Sequence, residues 1–320
     1  MPPQPACRLP PTWRSDHAPT LGDVNELGYD GRVAVVTGAG GGLGRRHALL
    51  LASRGARVVV NDVGGSIRGE GADEGPAART AAEIEDLGGV AVPDTSSVAT
   101  PEGGEAVVRT ALEAFGRIDI VINNAGILRD KAFHNLTPEL LEPVLRVHLE
   151  GAFWVTRPAW VHMRAQGYGR VVFTTSSSGI LGNFGQSSYG AAKTGLVGLT
   201  RVLSIEGAGH GIRVNAIAPL ARTRMTEEVL GGFADRLDPA LVSPVVAWLC
   251  HEECPVSGEV FAAGGGRVSR LFTGLTPGYF DPHLTVESVR DNFDVVRAEE
   301  GYTTPGSLTD EMAELITRLS

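Results

Sequence analysis

Tyr189 and Lys193 stand four residues apart in YGAAK, which on a helix places a phenol and an ammonium one turn apart on the same face. The spacing carries weight because this chain writes arginine almost everywhere: of its 28 basic residues only Lys131 and Lys193 are lysine. A guanidinium is too broad and too basic for the compact charge such a pair needs. At about 4 Å and an effective dielectric near 20, an ammonium favours the phenolate by up to about 4 kcal/mol, which would bring a tyrosine from about 10 to about 7. The pair is thus expected to act as a general base near neutral pH. Ser176, at the end of the apolar run RVVFTTS, is placed to hold a substrate oxygen for that base; Ser177 and Ser178 compete for the role.

A second constellation lies near the start. Thr37-Gly38-Ala39-Gly40-Gly41-Gly42-Leu43-Gly44 follows the apolar run VAVVTG and precedes a stretch of helical spacing. Glycines at such a strand-to-helix turn, here Gly38, Gly42 and Gly44 with Leu43 between, let the backbone approach a pyrophosphate at the helix N-terminus. RVVVND ends in Asp62, about 20 residues on, where a carboxylate accepts hydrogen bonds from an adenosine ribose and repels a 2′-phosphate. NAD is therefore expected in preference to NADP, with Arg45 and Arg46 as the nearby cations that argue the other way.

These residues need a frame. Apolar runs at 33–38, 57–62, 89–93, 118–124, 170–176 and 212–219 alternate with helical stretches at 74–88, from Pro101, at 138–160 and at 189–207. Strands without polar alternation, with helices on both sides, are buried on both faces: an α/β fold with one doubly wound, Rossmann-type parallel sheet. SGEVFAAGGG (257–266) reads as the last strand. The expected organisation is a loose arm at 1–28, a nucleotide-binding catalytic domain at 29–266 and a helical extension at 267–320, where TVESVRDNFDVVRAEE and SLTDEMAELITRL are amphipathic and Ser307 and Asp310 are spaced as a capping box.

Composition narrows the classes. Hydrophobic residues at 42% and charged ones at 20% exclude a disordered chain, and 37 acidic against 28 basic residues, net −9, leave no basic surface for nucleic acid. No apolar run approaches the roughly 18 residues of a spanning helix, and the first residues lack the apolar core of a secretion signal. With three cysteines and no peroxisomal Ser-Lys-Leu ending, a reducing cytoplasmic setting and no membrane partner are expected. Cys250 and Cys254 around His251 and Glu252 read as helix packing, and no metal site is expected.

TGAGGGLG, NNAG (123–126), Ser176 and YxxxK together resemble the short-chain dehydrogenase/reductase family over about residues 31–266. The resemblance implies Ser176, Tyr189 and Lys193 as catalytic residues, with Lys193 also binding the nicotinamide ribose and Asn124 supporting the cofactor side of the sheet. It further implies adenine contacts by the backbone of Ser97 and Val98, with Ser96 where many relatives have Asp, and nicotinamide contacts by Arg222 and Thr223, although Leu220 replaces the usual glycine there. His148 stands where most members carry an Asn that holds a relay water; it either anchors the same relay or packs the helix. VVVNDVGG, NNAGILRDKAF, VLRVHLEGAFWVTRPAW, GILGNFGQSSYGAAK, IAPLARTRMT, WLCHEEC and GLTPGYFDPHLTVESVRDNF resemble, within that family, the (3R)-hydroxyacyl-CoA dehydrogenase units of peroxisomal D-bifunctional (multifunctional type 2) proteins. That implies oxidation of a (3R)-3-hydroxyacyl-CoA to the 3-ketoacyl-CoA, with Arg222 and Arg224 near the CoA phosphates, in a homodimer or homotetramer. A steroid, a steroid-degradation CoA ester or a polyketide alcohol is the alternative substrate, and an NAD-binding regulatory protein the non-enzymatic alternative.

Overall fold

The computed structural model describes residues 26–222 and 236–319. Among them the strands β1 (Val33–Thr37), β2 (Arg57–Asn61), β3 (Val90–Asp94), β4 (Ile120–Asn123), β5 (Gly169–Thr174), β6 (Ile212–Pro219), β7 (Val260–Gly264) and β8 (Arg267–Leu271) form one sheet in the order β3-β2-β1-β4-β5-β6-β7-β8. All pairs are parallel except β7 with β8, which run antiparallel with Ala262 opposite Ser269. The chain is an α/β protein of the Rossmann type, with its parallel strands covered on both faces.

The helices are α1 (Gly42–Ser53), α2 (Gly75–Asp86), α3 (Pro101–Phe115), α4 (Pro138–Leu145), α5 (Gly151–Gln166), α6 (Ser177–Leu181) and α7 (Ser187–Gly207), followed by Ser243–Cys250 and the tail helices Val286–Asp291, Phe293–Arg297 and Leu308–Leu319. β1 shows why the strands carry no polar alternation: Ala34 and Val36 enter a core shared with α1, α2 and Ser243–Cys250, while Val33 and Val35 enter a second core under α3, α5 and α7. Local signals fix α3: Thr100 caps it by accepting from the Gly103 N–H at 3.1 Å, Pro101 opens it, and Gly116 ends it in the left-handed region.

Three expectations need correction. The helix expected unbroken over 138–160 is interrupted by a π turn at Arg146–Glu150. The sheet does not end at 266, because the turn at Gly265 and Gly266 returns the chain as β8. TVESVRDNFDVVRAEE forms two short helices rather than one; at Ser307 the expected cap is present, Oγ accepting from the Asp310 N–H at 3.3 Å, while the Asp310 carboxylate takes the Gly306 N–H. Of the arm expected at 1–28, residues 1–25 lie outside the described part; just beyond it, Tyr29 is buried and its hydroxyl donates to the Ala247 carbonyl.

Candidate active site

The C-terminal ends of β1 and β4 are stitched together at the glycine turn. Asn124 Nδ2 donates to the carbonyls of Thr37 (3.0 Å) and Gly38 (3.1 Å), and Thr37 Oγ1 accepts from the Asn124 and Ala125 N–H groups. Gly38 lies at φ +64°, and a Cβ there would come within 2.8 Å of Ala125 Cα, so only glycine lets the two strand ends close. Gly41 caps α1 without a side-chain acceptor, and the space where its Cβ would stand is open. The first N–H groups of α1 therefore lie at the positive end of the helix beside open space, a donor set that suits a pyrophosphate.

The adenosine side is equally built. Asp62 Oδ2 accepts from the Gly40 N–H (2.9 Å) and Oδ1 from the Gly64 N–H (2.7 Å), which orients the carboxylate and leaves lone pairs for a diol. Asp94 holds the loop after β3 in place, accepting from Asn61 Nδ2, the Ser96 N–H and Thr110 Oγ1. Ser97 and Val98 follow that loop, Ser97 exposed and Val98 buried. Of the two cations that argued for NADP, Arg45 is tied to Glu83, with Nε 2.9 Å from Oε2, and Arg46 is exposed on α1. The residues present fit a dinucleotide.

Ser176 leaves β5 in extended conformation and caps α6, accepting from the Ser178 N–H at 3.1 Å. Tyr189 and Lys193 lie one turn apart on α7, which opposes that strand end. Lys193 is buried; its Nζ donates to the Thr174 carbonyl at 2.5 Å and sits 5.6 Å from the Tyr189 ring centroid. The electrostatics correct the sequence expectation. Burial pushes the Tyr189 phenol above its ordinary value, opposed by a hydrogen bond with Ser176, with Asp130 raising it further; the ammonium does not bring it down. Burial also lowers Lys193 to about 7. Desolvation outweighs the attraction because the lysine is aimed at Thr174 rather than at the phenol oxygen.

His148 occupies the π turn and is buried behind Tyr189, edge to face at 5.2 Å between centroids. Its Nε2 lies 3.0 Å from the Ile127 N–H and 2.7 Å from the Ile127 carbonyl, so either tautomer finds a partner on the same residue. Nδ1 has no protein partner in either case. Thr37, Asn123, His148 and Lys193 border a cavity of about 10 Å³, the size of one water. Burial, with the Lys193 charge second, holds the ring neutral. A side chain at Gly126 would strike His148 Cε1 at 2.4 Å, so the glycine of NNAG makes room for this ring.

Ser176, Tyr189, Lys193, His148 and Asn124 thus come together around the ends of β1, β4 and β5. Arg222 stands exposed beyond β6, its N–H bonded to the Leu237 carbonyl, whereas Thr223 and Arg224 lie outside the described residues. Sequence reasoning missed Ile127, which acts through its backbone, and Gln186, whose Nε2 donates to Asp130 at 2.6 Å three residues before Tyr189. Cys250 and Cys254 are buried free thiols, and no group of metal-ligating side chains occurs among the described residues. No helix there is long and apolar enough to cross a membrane.

Comparison with known proteins agrees with this geometry. The chain is 46% identical over 298 residues to peroxisomal multifunctional enzyme type 2 of Mus musculus, covering 92% of this chain but 40% of that one. It is 36% identical to the hydroxyacyl-CoA dehydrogenase ChsB1 of Mycobacterium tuberculosis over 94% of this chain and 98% of that one. The solved full-length peroxisomal multifunctional enzyme type 2 of Drosophila melanogaster superposes with a TM-score of 0.77 at 37% identity, over 92% of this chain and 50% of that one. The chain therefore spans half or less of the length of the two multifunctional relatives. The short chain dehydrogenase profile matches residues 32–231, and with the site just described it follows that the chain is an oxidoreductase belonging to the short-chain dehydrogenase family.

Proposed function

We propose that the protein oxidises a (3R)-3-hydroxyacyl-CoA to the 3-ketoacyl-CoA with NAD. The observation that carries the chemistry is the convergence of Ser176, Tyr189 and Lys193 at one strand end, beside a glycine cradle with a fixed Asp62. Ser176 holds the substrate hydroxyl, Tyr189 takes its proton, and Lys193, fixed on the Thr174 carbonyl, reaches the cofactor ribose and the proton path behind Tyr189. A bound nicotinamide supplies the hydride acceptor. His148 is a positioning residue: a water in the cavity between it and Lys193 can pass protons away from the tyrosine, with Nδ1 as the available group.

NAD is favoured over NADP because Asp62 would repel a 2′-phosphate and Arg45 is neutralised by Glu83. The names of the similar proteins support the acyl-CoA class, and Arg222, exposed beyond β6, is the cation proposed to meet the CoA phosphates. Apolar side chains exposed on α5 (Phe153, Val161) and α7 (Val202, Ile205) support a homo-oligomer built on these helices. The test is NADH formation from (3R)- and (3S)-3-hydroxyacyl-CoA of medium chain length, beside NADP and a steroid alcohol. Turnover of the (3R) ester with NAD alone is expected; turnover of the steroid and of neither ester overturns the substrate class.

A further inference from the structure

The glycine-rich segment between β2 and α2 serves the site described above only through the Gly64 N–H on Asp62, yet it is held at both ends. At its base the Asp73 N–H donates to the Val63 carbonyl at 3.0 Å. At its tip Ser66 gathers the turn, accepting on Oγ from the Arg68 and Glu70 N–H groups while its own N–H meets the Glu70 carbonyl. The tip is fastened to the segment that follows β4. The Leu128 N–H donates to the Ile67 carbonyl at 2.9 Å, and Arg129 Nε donates to the Arg68 carbonyl at 2.9 Å while its Nη1 holds the Glu139 carbonyl of α4 at 2.8 Å. Gly69 lies flat on Ile127: a Cβ there would stand 3.1 Å from two carbons of that side chain.

Topology fixes what lies between. β2 and β4 flank β1 on opposite sides, so a segment rooted after β2 and fastened after β4 crosses the C-terminal end of β1 and its glycine turn, a span of about two strand spacings or about 10 Å. That is where a pyrophosphate on α1 would run. We propose that residues 63–73 are a strap across the dinucleotide cleft, latched by Ile127, Leu128 and Arg129, and that the dinucleotide enters and leaves only when the latch opens. The proposal rests on reading the cleft as a dinucleotide site. The latch also meets the proton-transfer side, because Ile127 is the residue whose N–H and carbonyl face His148 Nε2.

The test is stopped-flow fluorescence of NADH binding to the full chain in three forms: unaltered, Arg129→Ala, and with residues 65–71 excised so that Gly64 joins Ala72. The excision keeps the bond between Val63 and Asp73 and carries the test should Arg129→Ala fail to fold. A gate slows both directions of exchange. Opening it should therefore raise the association and dissociation rate constants together by about tenfold, the factor that one net hydrogen bond is worth, with Kd changed less than threefold. Unchanged rates in the variants, or a faster dissociation alone, overturn the strap. Absence of NADH binding by the unaltered chain instead overturns the dinucleotide reading beneath it.

Discussion

Two of the buried histidines, His47 and His148, set the region proposed to move protons against one that only packs. His47, on α1, packs against Ser243 on the next covering helix, with Nδ1 2.8 Å from Ser243 Oγ; His148 sits in the π turn against Tyr189. Each ring is buried, each keeps one nitrogen without a protein partner, and burial drives both toward the neutral form. They differ in what surrounds that nitrogen. His47 is buried one turn before Leu51 on α1, a helix whose buried face enters the core with Val246 and Leu249, whereas His148 borders a water-sized cavity shared with Lys193 and Asn123. An unpaired buried nitrogen costs about 1–3 kcal/mol wherever it lies. Only room for a water and a titratable neighbour turn that cost into a path for a proton.

The largest effect expected on the His148 side is at Tyr189. Tyr189→Phe should lower the oxidation rate by about 10³-fold with the melting temperature held within about 2 °C. Residual activity above a tenth would place the proton transfer elsewhere and dissolve the contrast between the two histidines. The pH profile sharpens the same point. Burial raises the Tyr189 phenol, so its base form grows only on the alkaline side: kcat/KM for alcohol oxidation should climb from pH 6 to pH 10, and ketone reduction, which needs the phenol, should not fall with loss of that proton before about pH 10.

A smaller loss is expected at His148. His148→Leu should cost about 10²-fold in oxidation, while His148→Asn, which keeps a donor and an acceptor near the cavity, should stay within about tenfold of the unaltered chain. Equal losses in the two variants would make His148 a packing residue like His47, with Gly126 shaped around its bulk alone.

The contrast also shows what a sequence displays. β1, β2, β4, β5 and β6 were legible because a strand buried on both faces must be a short apolar run, and Asp62 because its distance from the glycines reflects one strand-helix-strand unit. Tyr189 and Lys193 were legible as a pair, but the aim of Lys193 at Thr174 was not, since the direction of an ammonium depends on the carbonyls that a neighbouring strand leaves open. The π turn hid inside PELLEPVLRVHLEGAFW because one added residue shifts the apolar pattern without interrupting it. β8 was overlooked although GGG before RVSRL is a hairpin signal; its two arginines weakened the apolar count on an edge where charge is tolerated. Ile127 carries no signal, because what it offers His148 is a peptide group that any residue has.

The smallest effect belongs to His47, and it is a matter of stability alone. Burial lowers its folded pKa from the ordinary 6.5 to about 3. Between those values the unfolded chain binds a proton that the folded chain refuses, so the stability His47 preserves above pH 6.5 is lost as the pH falls toward 3. From pH 6.5 to pH 5 that amounts to about 2 kcal/mol for this ring. His47→Leu should therefore unfold in urea with a pH dependence flatter by about 2 kcal/mol between pH 7 and pH 5 than that of the unaltered chain, and with kcat/KM unchanged at pH 7. A variant with the same acid slope would show that the ring takes up its proton while the protein stays folded. A variant that loses activity would show that the helix pair at His47 and Ser243 reaches the site across the sheet, and the division between the two histidines would no longer hold.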